Sequence, residues 1–140
     1  VASGLGNQGS STQFQFRVPW ARLGKPNPGS LGEPELLGIG TLTGGASPLF
    51  WRVTEARPQS LATLVLGASQ LSAPFKGGTL TPSPDFLVPG LPINAAGQLT
   101  IPTFWPGLPI GTELYSQVWI VDANAPAGFA ATNGVRSIAP

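Results

Sequence analysis

Thr12-Gln13-Phe14-Gln15-Phe16-Arg17-Val18 is the stretch that decides the fold class. Phe14, Phe16 and Val18 fall on one side of an extended chain, and Gln13, Gln15 and Arg17 on the other. Successive side chains of a strand point to opposite faces, so this alternation is the signature of a half-buried β-strand. Upstream, residues 1–11 are rich in Gly, Ser, Asn and Gln and read as a flexible lead-in. Downstream, Gly24-Lys25-Pro26-Asn27-Pro28-Gly29-Ser30 reads as a linker. Its two prolines exclude a helix and bias the chain toward extension.

The same strand language continues to the C-terminus. Apolar runs rich in β-branched and aromatic residues recur at Glu35–Leu42, Leu49–Glu55, Leu61–Ala68, Thr79–Leu80, Phe86–Val88, Gln98–Ile101, Glu113–Val121, Phe129–Ala131 and Val135–Ile138. Turn signals separate them, among them Lys76-Gly77-Gly78, Pro89-Gly90, Ala96-Gly97 and Asn133-Gly134. Asn133-Gly134 is the strongest hairpin signal, because a type I′ turn needs positive φ at both central positions. Pro82, Pro89 and Pro102 are expected at sheet edges, since proline cannot donate to a ladder. With 19 Gly and 16 Pro in 140 residues, long helices have no room. The expected fold is all-β, a single antiparallel β-sandwich with an extended N-terminal arm. The arm and linker take residues 1–30 and the sandwich residues 31–140.

Composition narrows the chemistry. There is no His, Cys or Met, and only 9% of residues are charged. Imidazole and thiolate metal sites are therefore absent, as is a His-based catalytic triad. The net charge is +1, and the basic residues Arg17, Arg22, Lys25, Arg52, Arg57, Lys76 and Arg136 form no run, so no nucleic-acid footprint exists. No apolar stretch is long enough to span a membrane as a helix. A start at Val1 reads as signal-peptide removal or as a trimmed piece. Low charge with abundant Ser, Thr, Gly and Pro points to an extracellular or cell-surface location.

The chain from residue 31 resembles a repeat-type β-sandwich domain of secreted and surface proteins from planctomycete-like and myxobacterial bacteria. The resemblance rests on Leu61-Ala62-Thr63-Leu64-Val65-Leu66-Gly67, Gly77-Gly78-Thr79-Leu80-Thr81-Pro82-Ser83-Pro84-Asp85, Asn94-Ala95-Ala96-Gly97 and Asn133-Gly134. Its most specific part is Leu114-Tyr115-Ser116-Gln117-Val118-Trp119-Ile120-Val121-Asp122. Such domains are largely of unknown function, and many carry cysteines that this chain lacks. The resemblance implies a fold and a location, and no activity.

The carboxylates are Glu33, Glu35, Glu55, Asp85, Glu113 and Asp122. A glycosidase needs two of them facing across a cleft, yet nearly all sit beside turns, where carboxylates cap or solvate. A lysine base for a nucleophilic Ser or Thr would have to be Lys25 or Lys76, both in Gly/Pro loops. Asp122-Ala123-Asn124 reads as an Asx turn rather than a calcium loop, since the other oxygen ligands are missing. No catalytic residue, metal site or cofactor is expected.

Two surfaces remain. The arm, with Phe14, Phe16, Val18 and Trp20, reads as a subunit contact in which a strand completes a neighbour's sheet. It equally reads as an internal strand of its own domain, or as a disordered segment. Burying the two Phe and the Val contributes on the order of 5 kcal/mol before ordering costs. The other surface is Trp105, in Pro102-Thr103-Phe104-Trp105-Pro106-Gly107, a candidate glycan platform or a ring packed over a sheet end. The expectation is a non-catalytic structural subunit that partners itself in a filament or surface layer. The alternative is a carbohydrate-binding or adhesive module that meets surface glycans.

Overall fold

The computed structural model describes residues 19–140. The expected strand at 12–18, with Phe14, Phe16 and Val18, lies outside the described residues.

The architecture is all-β and antiparallel. Its strands are β1 (Trp20–Leu23), β2 (Glu35–Ile39), β3 (Gly45–Thr54), β4 (Leu61–Gly67), β5 (Gln70–Phe75), β6 (Gly78–Pro82), β7 (Phe86–Pro92), β8 (Leu99–Pro106), β9 (Glu113–Val121), β10 (Phe129–Ala131) and β11 (Gly134–Ile138). One sheet runs in the order β1-β11-β9-β4-β7, with β10 also on β9. The facing sheet is β2-β3-β8, and β5-β6 forms a separate ribbon. Along β3, Leu49, Trp51 and Val53 are buried while Phe50 and Arg52 are exposed, which gives the clean alternation of a one-sided strand. These residues meet Ala62 and Leu64 of β4, Val118 and Ile120 of β9, and Val135 of β11 in the main core.

Strand β9 is buried along most of its length because both its faces are covered. Val118 and Ile120 face the main core, while Trp119 joins Val65, Ala131, Leu80 and Phe129 in a second cluster on the opposite face. The ribbon provides that cover: the Phe75 ring meets Trp119 edge-on at a centroid distance of 5.2 Å. At the ribbon's tip, Lys76 and Gly77 both have positive φ, 50° and 79°, the primed-turn geometry of a tight hairpin.

The sandwich begins earlier than residue 31. Trp20–Leu23 pairs with Ser137–Gly134 of β11, so the chain joins the sheet at Trp20. The expected linker is also docked. Asn27 N–H donates to Ala131 O at 2.8 Å, Ala131 N–H returns the bond at 3.0 Å, and Asn27 Nδ2 donates to Phe129 O at 2.9 Å. The prolines flanking Asn27 hold this stretch extended against β10, where it acts as a short extra rung.

Asn133-Gly134 is not a hairpin turn. Neither residue has positive φ, and β10 and β11 both pair with the same side of β9. The register shifts by one residue between Ala131↔Trp119 and Val135↔Ser116, so Thr132-Asn133 is a bulge within one interrupted strand. Thr132 Oγ1 accepts the Val118 N–H at 3.0 Å and donates to Asn133 O at 2.8 Å, replacing a missing ladder contact. Gly134 is needed for space: a Cβ there would stand 2.5 Å from Thr81 Cγ2.

Pro89 and Pro102 lie on β7 and β8, the edge strands of the two sheets, and Pro82 ends β6 of the ribbon. All three occupy the edge positions that a missing N–H requires.

Candidate functional site

The two long sides of the sandwich differ. On the β1/β2 side the sheets are joined. Trp20 Nε1 donates to Gly40 O at 2.9 Å, and its ring lies where a Cβ on Gly38 would sit. Arg22 of β1 is ion-paired with Glu35 of β2, both half-exposed. Asn133 reaches across to Leu36, accepting its N–H at 3.0 Å and donating to its carbonyl at 3.2 Å. Trp20, expected as a subunit contact, is half-buried here and helps close its own sandwich.

The β7/β8 side lacks such joints. Among the described residues no hydrogen bond connects the two strands, and each pairs only with its inner neighbour. The chain crosses between them through residues 93–98. There Asn94 Oδ1 accepts the N–H groups of Ala96 and Gln98, each at 2.9 Å, and Ile93 is buried. That loop seals one end. Toward the start of β7 and the end of β8 the sheets part, leaving an apolar cleft of about 360 Å³. Its walls include Trp51, Leu64, Leu66, Val88 and Ile101. Phe86 and Phe104 stand on those two strands at 68% and 66% exposure, so neither ring is covered.

Trp105 lies in β8, an edge strand that also carries Pro102. It is 1% exposed and packs in the main core, so its ring face is unavailable to a sugar. The readily accessible ring in this segment is its neighbour Phe104. The indole N–H groups of Trp51 and Trp105 are buried, with no acceptor among the described residues. Both residues line the cleft.

The polar side chains that are buried serve the fold. Gln117 Oε1 accepts from Thr81 N–H and Trp119 Nε1–H, both at 3.0 Å. Its Nε2 donates to Thr79 O at 3.0 Å and Thr132 O at 2.9 Å, so the amide's donors and acceptor are all engaged and the ribbon is tied to β9. Asp122 accepts the Ser30 N–H at 2.6 Å, the Ser30 hydroxyl at 2.7 Å and the Asn124 N–H at 3.0 Å. Burial works against ionisation of its carboxyl, but the Ser30 and Asn124 bonds and the nearby Arg57 charge together hold it below the ordinary aspartate value. The Asn124 bond is the Asx turn read from the sequence, and Ser30 adds a clamp from the N-terminal segment. Asp85 is lowered by the Ala68 N–H and then by the Ser83 hydroxyl, a loop cap of the same kind. Among the described residues no three acidic side chains gather closely enough to hold a metal ion.

A second apolar hollow, of about 300 Å³, lies between the ribbon and the outer face of the larger sheet. Lys76 Nζ sits 4.8 Å from the Phe129 ring centroid at this place. It is the join where the ribbon packs on Trp119.

Comparison with protein-family models, with curated proteins and with solved structures found no match. Among the described residues no helix is long and apolar enough to cross a membrane.

Proposed function

We propose that this chain is a non-catalytic, extracellular structural subunit that self-assembles into a filament or surface layer, with strand donation as the means. The observation that carries the reading is the cleft between β7 and β8, an apolar opening whose lining includes the exposed Val88 and Phe104. Contiguous exposed apolar surface on a folded domain marks a place where another molecule packs. A chain with 9% charged residues and a net charge of +1 adds little repulsion between like copies. The engaged side chains of Asp122 and Gln117 support a structural rather than a chemical use of the buried polar groups.

A carbohydrate-binding or adhesive module is the competing reading. Its expected platform, Trp105, is buried.

Negative-stain imaging of the purified full chain, paired with a glycan array, tests the proposal. Filaments or sheets without glycan capture are expected. Single particles that bind glycans would replace it with the adhesive reading.

A further inference from the structure

We propose that the β7/β8 cleft is the acceptor for residues 12–18 of a second copy, and that the chain cannot fill it with its own arm. This inference rests on the self-assembly reading and names its contact.

The occupant must match the opening. The cleft lies between two antiparallel edges and is apolar inside and solvent-facing outside. An extended segment with apolar side chains on one face and polar ones on the other meets that demand. Thr12–Val18 has this pattern, with Phe14, Phe16 and Val18 for the interior and Gln13, Gln15 and Arg17 for solvent. Its seven residues are comparable to the eight of β8.

Connectivity selects the copy. Trp20 begins β1 at one edge of the larger sheet, and β7 is the other edge, four strand spacings or about 19 Å away. Val18 is two residues before Trp20, and two residues reach at most about 7 Å. A strand ending at Val18 therefore cannot lie along β7 of its own chain. Donor and acceptor stand at opposite edges of the subunit, so the contact is head-to-tail. Such contacts propagate into open chains unless a rotation closes the ring.

The edges also favour a selected partner over indiscriminate pairing. Pro89 and Pro92 on β7, with Pro102 and Pro106 on β8, lower the number of N–H donors on both edge strands. Pairing of one bare edge with another is weakened, and recognition passes to the side chains that enter the cleft.

Because the chain has no cysteine, paired thiols give a clean test with the full-length protein. Gln13→Cys and Gln15→Cys place a thiol on the solvent face of the arm and keep Phe14 and Phe16. Each is mixed under mild oxidation with a differently tagged Phe104→Cys chain, and in parallel with Leu37→Cys, an exposed position on β2 at the opposite side. Docking raises the local thiol concentration, so the mixed disulfide with Phe104→Cys should exceed that with Leu37→Cys by about tenfold or more. Adding Phe14→Asp and Phe16→Asp to the donor should abolish the difference. Light scattering on the same samples separates the two claims. Assembly with no preference for Phe104→Cys, or a disulfide closing within a chain that carries both Gln15→Cys and Phe104→Cys, overturns this contact and leaves self-assembly standing. A chain that stays monomeric and forms no mixed disulfide overturns both.

Discussion

Asn133 holds both main-chain polar groups of Leu36, accepting its N–H and donating to its carbonyl from the facing sheet. One buried amide thus fastens β2 to the bulge before β11 and closes one side of the sandwich. Among the described residues the opposite side has no equivalent, and that asymmetry is the basis of the functional reading.

Replacing Asn133 by Ala leaves the Leu36 N–H without its acceptor in a site with no exposure. Unfolding by denaturant should show a loss of about 2–3 kcal/mol, the cost of stranding buried polar groups. A loss near zero would mean that water or a backbone shift replaces the amide.

Asp122 should shape the acid limb of stability. Its folded pKa is depressed, so its contribution is present above the ordinary aspartate value of about 3.9 and is lost as pH falls through the folded value. Thermal melts of the native chain should therefore fall more steeply below about pH 4 than those of Asp122→Asn. Parallel curves for the two proteins would remove Asp122 from the acid transition.

Gly134→Ala should destabilise for a steric reason, since Gly134 does not have positive φ. The added methyl meets Thr81, and overpacking costs about 1–3 kcal/mol. Thr81→Ser removes the nearest obstructing carbon, so the double variant should recover part of the loss in the same melts. Without recovery, the clash with Thr81 is not the cause.

The fold was legible where the signal was local. Glu113–Val121 and Phe129–Ala131 stand where the sequence puts them, because each is an apolar, aromatic or β-branched run without Gly or Pro. Trp20–Leu23 was hidden by its length, four residues between Pro19 and Gly24. Gln70–Phe75 was hidden by Pro74 and by Ser72, whose φ of 51° breaks the pattern. Asn133-Gly134 misleads because a dipeptide reports its own turn preference and cannot reveal that β9 serves as partner to both β10 and β11. The roles of Gln117 and Asn133 depend on partners up to 97 residues away, which no spacing rule reaches. The cleft is a property of two strands in different sheets, so sequence pattern shows the exposed face of neither.

The central claim is that copies associate through the open β7/β8 side, and sedimentation velocity of the full chain over a concentration series tests it most directly. Phe104 is well exposed, so Phe104→Asp should leave the melting behaviour within about 0.5 kcal/mol of the native chain. The native chain should shift to larger species as concentration rises, and Phe104→Asp should remain monomeric. A native chain that sediments as a monomer throughout, or a Phe104→Asp chain that associates equally well, would contradict the account.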